Sequence, residues 1–498
     1  MMQRFLSVST AFLLAAAPVL AQDGQLVLAD NLALKANWAM SGDDAFIGAH
    51  AGCYEGLTRV SQDLKVEPAL AMEWVLVDPL TWEFKIREGV TFQDGNPLDA
   101  KAVSEALNQA LKSEVPIRGF SPKQIASVEA TGPMTVTIKT IAPLVTLPGS
   151  VANPGTAILS PAAYLKDGIN PVGTCTGPFE IVEVDPQQYV KVKRFENYWG
   201  GKAKLAGGTI RFIPDANTRG TMARSGEAQI SRLVPPAAVA TLSSGGDLAV
   251  LEVNAPRVLE LLLNNARAPF DNQKVRQAVR LAIDTAGISN AIFEGKSPPA
   301  GDPFRSGQPW EAPNAPVIER DLEKARALLN EAGVDPAALK IEILAYTGKT
   351  ELRDVAQIIQ AMLTEVGFTV NVRVAEYSSI EPDMLSGNYD LALLSRGYMT
   401  DVPEPIGYLT ADYSCKGSYN ISQHCNPEFD TMLAAAASEE DPTSRYRAYG
   451  KLAQYVYDNA VTVFLVNETV FDVASSGVTG FTPHPLNYYV FDTDLDAQ

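Results

Sequence analysis

The chain has 498 residues with 40 Lys and Arg against 58 Asp and Glu, a formal net charge of -18, 46% hydrophobic and 20% charged residues, three His and four Cys. At roughly 150 residues per domain this predicts about three structural units with sizeable cores, which excludes extended disorder and a small disulfide-held scaffold. The acidic excess repels phosphate backbones and anionic headgroups, and no Lys/Arg-rich run overturns it locally, so no nucleic-acid partner is expected.

The first 21 residues read as a secretory signal peptide. Arg4 precedes an apolar run from Phe5 to Ala17, and Pro18-Val19-Leu20-Ala21 has the small side chains that suit cleavage after Ala21, ahead of polar Gln22-Asp23-Gly24. The competing reading is an uncleaved anchor, but the run is shorter than the ~20 residues that cross a bilayer. Gln22 stands where a lipoprotein would carry Cys. The mature chain is therefore expected free in an export compartment.

Cys53 to Leu57, followed by Thr58-Arg59-Val60, reads as a helix end entering a strand, and clearer strand begins at Trp74. Thr81 to Arg87 alternates apolar and polar residues as a half-buried strand requires. Asp99 caps a helix in which Val103, Leu107 and Leu111 share one face, and Met134 to Lys139 is another alternating strand. Phe179 to Val184, the turn Asp185-Pro186-Gln187-Gln188 and Tyr189 to Arg194 predict a β-hairpin.

Leu259 to Asn264 is an apolar run of strand length, and Val275, Val279, Ala282 and Ile283 mark an amphipathic helix beyond it. Six prolines between Ser297 and Pro316 forbid regular structure, predicting an extended surface or cleft-lining loop. Then a helix at Asp321 to Glu331, a strand at Lys340 to Leu344, a helix at Glu351 to Glu365 and a strand at Phe368 to Val374 give β-α-β order. Asn388 to Leu394 adds a buried strand, so about 270 to 465 reads as an α/β lobe with a partly parallel sheet. Val461 to Val466 is a strand, and the tail from Thr469 is too short to fold alone.

In an oxidising compartment the even cysteine count reads as disulfides. Cys415 and Cys425 enclose a loop containing Gly417, Ser418 and Asn420, which leaves Cys53 and Cys175 as a second pair, with buried free thiols as the alternative. No CxxC occurs, so metal ligation by the cysteines is the weakest reading; no metal site and no cofactor are expected.

Catalytic motifs are missing. Gly295-Lys296-Ser297 and Gly348-Lys349-Thr350 have Asn290 and Ile343 where a phosphate-binding loop needs glycine. His50, His424 and His484 are isolated, outside any HExxH or GxSxG context, and read as surface or structural residues. Asp43-Asp44 and Glu439-Glu440 read as solvated or capping groups, so no enzyme is expected. Recognition without turnover fits two α/β lobes around a cleft. Arg396, Tyr398 and Asp401 emerge at the end of a buried strand, where ligands sit in open α/β sheets; the plainer alternative is a loop ion pair between Arg396 and Asp401.

The chain resembles the solute-binding proteins of the peptide/nickel class of ABC importers, extracellular family 5. The match is carried in order by Tyr54-Glu55-Gly56-Leu57, Trp82 to Gly95 with Pro97-Leu98-Asp99-Ala100, Gly173 to Phe179, Arg194 to Gly200, Val275 to Asp284 and Lys324 to Gly333. The resemblance implies an α/β, two-lobe periplasmic-binding-protein fold (class II-like) with an extra subdomain in the first lobe. Laid on this chain it predicts a signal peptide over 1–21, lobe I over 22–263 with the subdomain at about 61–172, lobe II over 264–466 and a return to lobe I over 467–498.

Dipeptide binders of the family receive the ligand amino group on an aspartate in an aromatic-x-x-Asp loop, which here falls on Tyr398-Met399-Thr400-Asp401, although Glu404-Pro405 stands for the usual Asp-Pro. The loop from Tyr419 to Asp430 also resembles that branch and pairs Cys425 with Cys415. The arginine that holds the ligand carboxylate is missing from Tyr346-Thr347-Gly348-Lys349-Thr350, which leaves either Lys349 or Arg396 as anion partner or a ligand without that carboxylate, with Tyr346 as a further lining residue. The resemblance thus implies a periplasmic, monomeric protein that carries a short peptide or small amine-bearing ligand to inner-membrane ABC permease subunits. A nickel or other metal chelate is the alternative cargo, and an exported hydrolase the alternative class.

Overall fold

The computed structural model describes residues 25–35, 37–117, 119–347, 349–400 and 402–497, so the signal peptide expected over 1–21 and the candidate Asp401 lie outside the described residues. One ten-stranded sheet runs through both lobes. Its order is Phe179–Asp185, Tyr189–Arg194, Gly207–Phe212, Gln25–Asp30, Ile230–Ser231, Thr462–Ser475, Leu248–Leu263, Leu391–Gly397, Lys340–Tyr346 and Thr369–Ala375.

At the first-lobe end the hairpin arms pair antiparallel, with a register shift between Ile181 and Glu183, and Gly207–Phe212 lies parallel to Gln25–Asp30. At the second-lobe end Lys340–Tyr346 lies parallel to Thr369–Ala375 and to Leu391–Gly397, with the helix Thr350–Glu365 as crossover. This is the β-α-β order read from the sequence. Each lobe has its own core, the first around Leu26, Leu28, Phe179 and Ile210, the second around Leu261, Ile343, Val355 and Leu391.

The lobes are joined by Leu248–Leu263 and Thr462–Ser475, paired antiparallel with a break in register between Asn254 and Val258. The sequence predicts only the short apolar pieces Leu259 to Asn264 and Val461 to Val466; the strands are longer. Glu252, Asn254 and Arg257 interrupt the first apolar run, and Asn467, Glu468 and Asp472 the second. Both strands lie inside the sheet, where backbone pairing with two neighbours holds them whatever the side chain.

A separate antiparallel sheet, ordered Ala71–Asp78, Thr81–Ile86, Thr135–Thr140 and Ile125–Gly132, adds its buried residues Phe84 and Ile138 to the core around Leu26 and Phe179. The helix Ala100–Ala110 packs on it through buried Val103 and Leu107, and the Asp99 carboxylate caps it by accepting from the Ala102 N–H at 2.8 Å. Cys53 and Cys175 are bonded across this region, and Cys415 is bonded to Cys425, so both pairs form.

The proline-rich segment is irregular, as its prolines require, but it is more than a surface loop: Phe304 and Trp310 are buried in a core with Tyr398, Tyr408 and Tyr449. The tail packs into the core around Leu26 and Phe179, where Phe491 lies edge-on against Phe179 at 5.4 Å and its N–H donates to the His50 carbonyl. His50 itself is fully buried and faces an Asp30 carboxylate oxygen at 2.6 Å and the Asn487 carbonyl at 2.7 Å. His424 and His484 are buried as well, against the Tyr413 and Val60 carbonyls, so all three histidines are structural and none is a surface residue.

Candidate functional site

Leu391–Gly397 is buried along its whole length, because it lies between two strands with both faces covered. Its carboxyl end and that of Lys340–Tyr346 open together on the side where the helix Thr350–Glu365 begins. Crevices of this kind are where open α/β sheets hold ligands.

A compact charged group sits there. Lys349 occupies the N-cap of that helix without capping it through its side chain; its ammonium donates to Ser395 Oγ at 3.1 Å and is paired with Glu468. Arg257, on the long joining strand, donates from Nε to Ser395 Oγ and from Nη2 to the Ser395 carbonyl, both at 3.0 Å, and its Nε stands 3.9 Å from Glu468. Glu468 is almost fully buried. Burial opposes its ionised form, but Lys349 and Arg257 outweigh that and hold its carboxyl below the usual range. Two cations thus share one carboxylate, beside a helix terminus whose free N–H groups carry partial positive charge. Lys349 and Arg257 keep 33% and 39% of their side chains exposed, so the surplus charge faces solvent.

Arg396 and Tyr398 are placed differently. Arg396 is buried and makes a bidentate pair with Asp412 at 2.8 and 2.7 Å, its guanidinium 4.7 Å from the Tyr419 ring centroid. The Tyr398 ring packs edge-on against Phe304 at 5.1 Å, and burial pushes its hydroxyl up to about 12. Tyr346 meets Tyr377 edge-on at 5.3 Å. Asp401 belongs to the residues left undescribed, but its chain neighbours reach the first lobe. The Thr400 carbonyl accepts from Asn153 Nδ2 at 3.1 Å and from the Tyr488 hydroxyl at 3.2 Å, while Pro403 lies so close to Gly149 that a Cβ there would stand 2.5 Å from it. Glu404, clamped by Arg445 at 2.8 and 2.7 Å and by the Tyr449 hydroxyl, anchors the other end of this loop to the helix Pro442–Asp458.

Behind Arg396 and Asp412 lies Glu260, fully buried, accepting from the Tyr408 hydroxyl at 3.2 Å. Burial and then the Asp412 charge push its carboxyl up to about 8, against a smaller opposing effect of Arg396. Because the unfolded chain releases this proton near 4.5 and the native protein keeps it to about 8, the unfolded state binds fewer protons across that window and stability falls as pH rises through it. Glu260→Gln is expected to remove this fall, measured as urea unfolding free energy across the same pH range; an unchanged slope would assign the proton elsewhere.

Sequence reasoning names Lys349, Arg396, Tyr398 and Tyr346 but not Arg257, Ser395, Glu468, Asp412 or Glu260. A signal did exist. Arg257 is the one basic residue in the strand LAVLEVNAPRVLELLL, and Glu468 is one of two acidic residues in the mainly apolar TVFLVNETVFDVAS; a charge in such a place must find a partner.

The family model for bacterial extracellular solute-binding proteins, family 5 Middle, matches residues 65–420. The glutathione-binding protein GsiB of Salmonella typhimurium is 29% identical over 468 residues, 89% of each chain. Among solved structures, NikA from Brucella suis in complex with Fe(III)-EDTA aligns with a TM-score of 0.84 at 23% identity, over 95% of this chain and 100% of that one. DppA from Helicobacter pylori in complex with the peptide STSA aligns at 0.80 with 24% identity, over 95% and 98%. These structural likenesses show a shared two-lobe binding-protein fold.

Proposed function

The chain belongs to the bacterial extracellular solute-binding proteins of family 5, and from that premise we propose that it is the periplasmic solute-binding component of an ABC importer, carrying a short peptide or comparable amine-bearing metabolite, chemically unchanged, to inner-membrane permease subunits. Closure of the lobes buries the ligand in the cleft. Its amino group falls to Asp401 and its carboxylate to Lys349 and Arg257, with Tyr346 beside them and Tyr398 and Arg396 supporting the loop.

The observation that carries this reading is the pair of partly exposed cations on the single buried carboxylate of Glu468. An arriving carboxylate balances the surplus charge and finds donors already held in place by Ser395. A peptide cargo is further supported by the glutathione-binding relatives and the peptide-bound DppA neighbour.

Mass spectrometry of the ligand retained through native purification tests the proposal. The expected result is a small molecule bearing both amine and carboxylate, recovered intact; stoichiometric metal with a chelator, or a hydrolysed product, would overturn it. Lys349→Ala is expected to weaken binding of such a ligand about tenfold, since the ammonium is partly solvent-screened. A ligand with its carboxylate amidated should lose nothing further in that variant, as read by calorimetric titration.

A further inference from the structure

A cavity of about 130 Å³ opens in the first lobe and shares no lining residue with the cleft group around Lys349. Aromatic rings of Tyr198, Trp199 and Tyr489 form much of its wall, and Glu55 and Arg59 bring opposite charges to it. Each Glu55 oxygen already accepts one hydrogen bond, Oε1 from the Tyr198 hydroxyl at 2.8 Å and Oε2 from Trp199 Nε1 at 3.0 Å. Burial pushes the Glu55 carboxyl up, against the opposing effect of these bonds and of Arg59; once ionised beside a ligand cation it has about four acceptor sites, so each oxygen keeps capacity for another donor.

Arg59 is exposed, its guanidinium 5.3 Å from the Tyr489 ring centroid, and among the described residues its side chain makes no hydrogen bond and no ion pair. Among the described residues Glu55 and Arg59 thus line one cavity with no hydrogen bond or close ion pair between them, although the Arg59 charge still favours the ionised Glu55 carboxyl. Asp492, the other charged lining group, has Oδ1 occupied by the Asp494 and Leu495 N–H groups, each at 2.9 Å.

A ligand complementary to this arrangement carries an ammonium and a carboxylate a short distance apart. The Trp199 ring already carries the Arg87 guanidinium at 4.3 Å from its centroid, so it is the Tyr198 ring beside Glu55 that favours the cationic end. Size narrows the class, since an apolar cavity of about 150 Å³ admits benzene, and alanine has as many non-hydrogen atoms as benzene. We propose that this cavity is a second ligand site, for a small free α-amino acid whose ammonium meets Glu55 and whose carboxylate meets Arg59. It goes beyond the cleft reading and does not depend on it.

The test is titration of L-alanine into the mature full-length protein with its cleft ligand bound, followed by Trp199 fluorescence and by calorimetry. Saturable binding at millimolar concentration is expected, with the optical signal lost in Trp199→Phe. Arg59→Gln should weaken alanine about tenfold and leave cleft-ligand affinity unchanged, and Glu55→Gln, which preserves shape, should do the same. Ethylamine and propionate, each lacking one charge, should bind more weakly than alanine. No saturation in a folded protein, equal binding by Arg59→Gln, or ethylamine binding as well as alanine would each overturn the proposal.

Discussion

Replacing Asp412 by alanine is expected to destabilise the protein by about 3–5 kcal/mol, because it strips a buried guanidinium of a bidentate partner. Arg396 is only 7% exposed and donates from both Nε and Nη2 to this one carboxylate. The charge cannot retreat to water without dismantling the packing of Tyr408 and Tyr419 around it. Urea denaturation measures the loss. Replacing both partners together, as Arg396→Met with Asp412→Leu, should recover most of it, since apolar groups of similar volume remove the desolvation cost along with the attraction. If Asp412→Ala costs less than 1 kcal/mol, the pair is not the buried one described. A second readout is independent: without the Asp412 charge the Glu260 carboxyl should titrate lower, moving the pH window of stability downward.

Asp401→Ala is expected to weaken binding of an amine-bearing ligand by about 2–5 kcal/mol, the range for removing one partner of a desolvated charge pair. The position is favoured by its surroundings in the chain, between Thr400, tied to Asn153 and Tyr488, and Pro403, seated on Gly149. An ammonium enclosed beside this loop when the lobes close would need a carboxylate partner. Calorimetry with a ligand and its N-acetylated analogue separates the contributions: the analogue should bind weakly to both proteins and show no difference between them. Unchanged affinity for the free amine would remove Asp401 from the site.

Much of the scaffold is legible in the sequence where period and punctuation act locally. The hairpin at 179–194 alternates around a polar turn, Asp99 announces its helix, and the β-α-β unit around Lys340–Tyr346 shows its strand and helix periods in turn. The joining strands are harder, since their interior charges mimic strand ends. Helices such as Tyr377–Leu385, with Pro382 inside it, and Ile406–Tyr413 carry no clean apolar stripe and escape the same reading. The site is legible only in part. Lys349 meets a carboxylate 119 residues away, and Arg396 one 16 residues away. Separation along the chain is the only distance a sequence offers, and tertiary ion pairs ignore it.

Arg257 falls inside the stretch from Asn254 to Val258 where the two joining strands lose register. In the proposed site one of the two anion partners is therefore mounted on the long strands that cross between the two cores. A carboxylate held there would keep its distance from that donor in any swing of one core against the other.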